Sequence, residues 1–178
     1  MLKLNAPRCL EELVARPTGD PGVELDALVD EWENHFFSLR CPCGGIEFTV
    51  RSFFYRRHYP SEELDEDLAY GPITLHCCTC NRELKCFDPA LHGYDVETDR
   101  FPEPGPYPGT LRDYECSECA DKVFALTARF QYPDNVTDPV QKVGGHVPAS
   151  EDLFTYFSLL GSCTACKTVA TIASIGCA

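Results

Sequence analysis

The sequence predicts an α+β fold that is mostly β, with an N-terminal helical segment packed on two pseudo-repeated antiparallel β modules. Three observations carry this expectation. Apolar residues recur at helical spacing before residue 40 and at period two after it. Eight of the twelve cysteines fall into four close-spaced pairs. A stretch rich in proline and glycine, with Pro102, Pro104, Gly105, Pro106, Pro108 and Gly109, separates the first two pairs from the last two.

Residues 1–40 read as helical. Leu10, Leu13 and Val14 suit one face of a short helix over 7–15 that ends before Pro17. Over 20–39, Asp20 serves as N-cap and Pro21 as first helical residue. Leu25, Leu28, Val29, Trp32, Phe36 and Leu39 follow at steps of three and four.

From Cys41 the pattern changes. Ile46, Phe48 and Val50 alternate with Glu47, Thr49 and Arg51, and the β-rich run continues through Phe53, Phe54 and Tyr55. Further strands are expected over 72–76 and 82–87, completing a first module over 41–100. After a linker at 101–110, the second module spans 111–178, with strands over 111–115 and 122–132. In the longer strand Phe124, Leu126, Ala128 and Phe130 share one face. A turn-rich loop is read over 133–150. The run 153–160 opens with helix-start residues Glu151 and Asp152 after Ser150, but its dense aromatics favour a strand; 167–175 closes the chain as another.

The modules share a plan of strand, cysteine pair, long strand, loop, strand, cysteine pair, strand. The first carries Cys41-Pro-Cys43-Gly-Gly and Cys77-Cys78-Thr79-Cys80, with 33 residues between Cys43 and Cys77. The second carries Cys116-Ser-Glu-Cys119 and Cys163-Thr-Ala-Cys166, with 43 residues between Cys119 and Cys163. Two thiolates two or three positions apart on a tight turn can both point at one ion, at about 2.3 Å, and two such turns complete a tetrahedron. Two structural zinc ions are therefore expected, one on Cys41, Cys43, Cys77 and Cys80 and one on Cys116, Cys119, Cys163 and Cys166. In the first set Cys78 competes with Cys77, which is preferred because Cys77-x-x-Cys80 is the better-spaced pair. A closed four-sulfur site contributes folding free energy and leaves no position for substrate water. The isolated Cys9, Cys86 and Cys177 read as buried thiols.

These turns resemble the knuckles of the zinc-ribbon class, written Cys-x-x-Cys or Cys-Pro-x-Cys-Gly on facing β-hairpins. The resemblance covers roughly 40–87 and 114–175. It implies antiparallel ribbons around each ion, and the single residue between Cys41 and Cys43 departs from it.

The formal charge is −13, from ten basic and nineteen acidic residues in 1–100 and five and nine in 101–178. Eight thiolates and two Zn²⁺ would take it to about −17. Such a surface disfavours phosphate backbones, whose binding relies on Lys and Arg, and favours a basic protein partner. No run approaches 18 apolar residues and the N-terminus lacks a secretory h-region, so no membrane association is expected and the cytoplasm is the expected compartment, where thiols serve as metal ligands rather than disulfides.

The leading expectation is a non-catalytic, zinc-binding, acidic protein-interaction module, in its most concrete form an immunity or inhibitor protein that neutralises a basic effector. Two alternatives rest on other residues. Arg51, Arg56, Arg57 and His58, interleaved with Phe53, Phe54 and Tyr55, resemble a single-strand nucleic-acid surface, though the acidic run Glu62, Glu63, Asp65, Glu66 and Asp67 lies close by to pair with it. Asp88, His92, Tyr94 and Asp95 on one loop have the group types of general acid–base chemistry in a hydrolase-like enzyme, or of a turn whose side chains satisfy local backbone groups. Asn135-Val136-Thr137 has the form of a glycosylation acceptor that the expected compartment makes irrelevant. His76 and His146 read as bystanders to the cysteines.

Overall fold

A computed structural model describes residues 5–19, 33–59, 64–92, 107, 109–132 and 152–176. Side-chain burial within this set excludes 56–59 and 64–66. Among the described residues there are ten strands: β1 (Val14–Thr18), β2 (Glu33–Arg40), β3 (Glu47–Tyr59), β4 (Leu64–Ala69), β5 (Ile73–Cys77), β6 (Glu83–Phe87), β7 (Thr110–Asp113), β8 (Phe124–Tyr132), β9 (Tyr156–Cys163) and β10 (Val169–Gly176). A single 3-10 turn, Arg8–Leu10, precedes them. All belong to one connected sheet. No helix in this set is long and apolar enough to cross a membrane.

The fold is therefore β throughout the described residues, and the α+β expectation is corrected. The predicted helix over 7–15 is a 3-10 turn that buries Cys9 and Leu10 and then extends into β1. Pro17 sits in this edge strand, where its missing N–H does no harm. Of the predicted helix over 20–39, residues 20–32 lie outside the described set and 33–39 form β2. Phe37 and Leu39 are 2% exposed, whereas Ser38 and Arg40, which alternate with them, are only partly buried, which is the period-two pattern. The consecutive Phe36 and Phe37 fit either period, and pairing with β1 on one side and β8 on the other decides it.

The two halves are joined by reciprocal exchange. β2 pairs with β8 of the second half, and β7 pairs with β3 of the first. The registers correspond residue by residue. Ser38↔Thr127, Phe37↔Ala128 and Phe36↔Arg129 repeat as Asp113↔Arg51, Arg112↔Ser52 and Leu111↔Phe53. Phe48↔Cys77 and Thr49↔His76 repeat as Phe124↔Cys163 and Ala125↔Ser162. His76↔Glu83 repeats as Ser162↔Val169, and even the irregularity before Ile73↔Phe87 recurs before Leu159↔Ala173. The chain is thus a duplicated unit whose entry strands are swapped, and the pair Phe48↔Phe124 lies at the pseudo-two-fold centre.

That pair also closes a ring of five strands, β8, β9, β10, β4 and β3, with β10 and β4 joined in parallel at Ala173↔Ala69. The interior contains Phe37, Phe48, Phe87, Phe124, Phe130, Phe154 and Phe157, all at most 2% exposed. Each such burial stabilises by about 1.5–3 kcal/mol relative to exposure. Phe87 of β6 stacks on Phe157 of β9 with centroids 4.2 Å apart, so this contact also bridges the halves. The linker expected at 101–110 lies outside the described residues except for Tyr107, Gly109 and Thr110.

Candidate metal centres

Each cysteine pair ends a strand and turns the chain back on itself. In the turn after Cys77, the Asn81 N–H donates to the Cys77 carbonyl (2.8 Å) and the Cys77 N–H donates to the Arg82 carbonyl (3.0 Å). Ala120 and Asp121 make the same two bonds with Cys116, and Lys167 and Thr168 with Cys163. The residue after the second cysteine must adopt a left-handed backbone to aim its N–H back. Asn81, Ala120 and Lys167, at φ 58°, 59° and 67°, are the non-glycine residues with positive φ among the described residues.

The Cys41-Pro-Cys43 turn is the same device shortened by one residue. Gly44, at φ 93°, donates to the Cys41 carbonyl, and Cys41 donates to Gly45, each at 2.8 Å. The second glycine has its own cause. A Cβ on Gly45 would stand 2.8 Å from the Cys77 sulfur and 2.7 Å from the Thr79 hydroxyl oxygen.

The turns meet in pairs. The sulfurs of Cys41, Cys43, Cys77 and Cys80 lie within 4.8 Å of one another, as do those of Cys116, Cys119, Cys163 and Cys166. Cys41 and Cys80, Cys43 and Cys77, and Cys119 and Cys163 have Sγ atoms 3.6 Å apart, and Cys116 and Cys166 are at 3.5 Å. A disulfide would need about 2.05 Å. Four sulfurs at about 2.3 Å from a central ion stand about 3.8 Å apart along a tetrahedron edge, so both quartets fit a metal ion of that size. In every pair the first cysteine is buried and the second exposed. Cys77 rather than Cys78 stands in the first quartet. Cys78 is exposed, and its N–H donates to the Glu47 carbonyl just as Thr164 donates to Val123 in the other half.

The local field divides the thiols. Burial opposes ionisation of Cys77, but backbone N–H groups of Cys80 and Thr79 at its sulfur bring it down to about 7. The side-chain hydroxyl and backbone N–H of Thr168 bring Cys166 down to about 6. Burial pushes Cys41 up to about 12. At Cys119 a backbone hydrogen bond from Asp121 favours the thiolate, but desolvation and neighbouring thiols prevail and push it up to about 12. Cys77 in the first quartet and Cys166 in the second are therefore favoured to meet a cation as thiolates near neutral pH. The sites are joined by one row of paired residues, Cys77, Phe48, Phe124 and Cys163. Three strand spacings separate these cysteines by roughly 14 Å.

The remaining candidates are placed as follows. His76 faces Glu83 (3.2 Å) and lies outside the quartet; His146 lies outside the described residues. Cys9 and Cys86 are buried, with Cys86 pushed up to about 12 by burial, and Cys177 is outside the described set. Arg56, Arg57 and His58 stand in backbone register with Asp67, Glu66 and Asp65 on β4. Glu62 and Glu63, like the 133–150 loop with Asn135, lie outside the described residues. Asp88 accepts hydrogen bonds from the Ala90 N–H (2.9 Å) and the Tyr107 hydroxyl (3.0 Å), while its own N–H donates to His92 Nδ1 (2.9 Å). Burial holds His92 below its ordinary range. Asp88 and His92 thus make a self-bonded turn; Tyr94 and Asp95 lie outside the described set. Missing from the sequence reading was the exchange of β2 and β7, which pairs residues far apart in the chain and which no local pattern announces.

Comparison of the chain with protein-family models, with curated proteins and with solved structures found no match.

Proposed function

We propose that the chain is a zinc-binding, non-catalytic, acidic protein-interaction module. The observation that carries the reading is the pair of four-sulfur groups, each with tetrahedral spacing. All-thiolate sets of this geometry suit zinc, which has no ligand-field preference and no redox chemistry of its own. Bound there, zinc supplies charge and cross-links rather than catalysis. At the first site it ties the β2–β3 turn to the β5–β6 turn; at the second, β7–β8 to β9–β10. Since β2 and β7 are the exchanged strands, each ion fastens one half's entry strand, laid on the opposite half, back to its own ribbon. The rigid, acidic body that results suits a basic protein partner, and an inhibitor or immunity protein masking a basic effector is its most concrete form.

Native mass spectrometry of the purified protein with and without chelator tests the metal. Two zinc ions per chain are expected; none refutes the reading. Affinity capture from the native cell tests the partner. A basic protein released by salt supports the reading, and binding left unchanged by reversing the acidic residues of 62–67 and Asp113 of β7 refutes it.

A further inference from the structure

The internal duplication exposes one difference between the halves. On the first, β1 lies antiparallel along the outer edge of β2, with Val14↔Arg40, Arg16↔Ser38 and Thr18↔Phe36 in register. Just before it, Glu12 accepts a hydrogen bond from the Lys85 N–H of β6 (2.8 Å). The first half thus has a slot between β2 and β6, filled by an extended segment. The corresponding slot of the second half lies between β7 and β10. Its equivalents of Phe37, Leu39, Arg40 and Lys85 are Arg112, Tyr114, Glu115 and Thr171 by the matched registers. These four residues line a cleft of about 660 Å³, together with Asp67 and Leu68 of β4. Among the described residues no strand pairs with the outer edge of β7.

We propose that this cleft binds an extended basic peptide by strand addition to β7, in the register that β1 shows on β2. The inference rests on the reading of the chain as an acidic interaction module and names the place of contact. The backbone polarity is right. The Tyr114 N–H points inward to the Val50 carbonyl (2.8 Å), so by strand alternation Leu111, Asp113 and Glu115 turn their N–H and C=O groups outward. An edge of this kind is a template for another strand. The occupant's chemistry follows from the register. Residues taking the places of Arg16 and Val14 stand opposite Asp113 and Glu115, which select lysine or arginine at alternate positions. Arg51 (3.5 Å from Asp113) and Lys122 (3.0 Å from Glu115) already contact these carboxylates, the first half-buried and the second exposed, and each has acceptor capacity for a second cation. Arg112 is held by Asp67 and lies over the Phe54 ring, 4.7 Å from its centroid, and its guanidinium also donates to the outward Asp113 carbonyl (3.3 Å), a bond that the incoming strand's N–H would replace.

The test uses the full zinc-loaded chain and a short fluorescein-labelled peptide alternating lysine and valine, with a glutamate–valine peptide as control. Anisotropy should report binding of the lysine peptide alone, weakened by salt. Amide exchange followed by NMR should slow at Leu111, Asp113 and Glu115. Leu111→Pro removes an outward N–H and no inward bond, and should weaken binding about tenfold. Asp113→Asn with Glu115→Gln should weaken it by a similar factor and flatten the salt dependence. Equal binding to Leu111→Pro, no new protection at these amides, or slow exchange there before peptide is added, as when a segment of the chain itself covers the edge, overturns the cleft. So does absence of peptide binding at low salt. A folded basic probe, lysozyme, is titrated in parallel: if it binds while the peptide does not, the acidic-module reading stands and the cleft alone falls.

Discussion

The three left-handed residues that close the cysteine turns give the sharpest stability prediction. Ala120, at φ 59°, is exposed and carries only a methyl group, so replacing it removes almost no packing. An L-residue in this backbone region costs about 1–2 kcal/mol relative to glycine. Against this, glycine loses more backbone freedom on folding, by about 0.5–1 kcal/mol. The difference predicts that Ala120→Gly stabilises the zinc-loaded protein by about 0.5–1 kcal/mol. Lys167→Gly should gain less, because the Lys167 ammonium also donates to the Thr164 carbonyl (2.6 Å). Asn81→Gly should be nearly neutral, since asparagine tolerates this region. The sign reverses where glycine is already present. At Gly109, φ 96°, an added Cβ would stand 2.1 Å from the Phe54 carbonyl oxygen, and Gly109→Ala should destabilise by roughly 3 kcal/mol or more. Urea unfolding at fixed excess zinc measures the series, with unchanged m-values as the check on the two-state treatment. An Ala120→Gly variant less stable than the parent by about 1 kcal/mol, the ordinary penalty for glycine in a regular element, would refute the reasoning.

Further outcomes follow from the same geometry. Cys163→Ser should reduce bound zinc from two ions to one by native mass spectrometry, whereas Cys78→Ser should leave two; loss of zinc in the Cys78 variant would move the first site. Gly45→Ala drives a Cβ against the Cys77 sulfur at 2.8 Å and should empty the first site while sparing the second. Zinc uptake must strip protons from thiols such as Cys41 and Cys119, which stand at about 12 without metal, so acid favours the metal-free side. Apparent affinity measured against a chromophoric chelator should fall by about tenfold or more per pH unit from pH 8 to 6, and a flat profile would contradict thiolate ligation. Phe157→Ala removes a fully buried ring stacked on Phe87 and should cost about 3–5 kcal/mol in the same urea assay.

The sequence by itself determined what depends on near neighbours along the chain. Cysteine spacing encodes the turns, because a pair two or three positions apart needs only one hairpin to aim both sulfurs. The alternation of Phe124, Leu126, Ala128 and Phe130 likewise marks β8, since a half-buried strand shows its inner face at period two. Tertiary structure decided the rest. Phe36 and Phe37 fit a helix as well as a strand until β1 and β8 are seen on either side of β2. The exchange of β2 and β7 is an agreement between residues about 90 and 60 positions apart, Phe37 with Ala128 and Leu111 with Phe53, and no local pattern carries that choice. Nor does any single segment disclose the cleft beside β7: it is visible only when the second half is laid on the first and, among the described residues, the place of β1 is found without a strand.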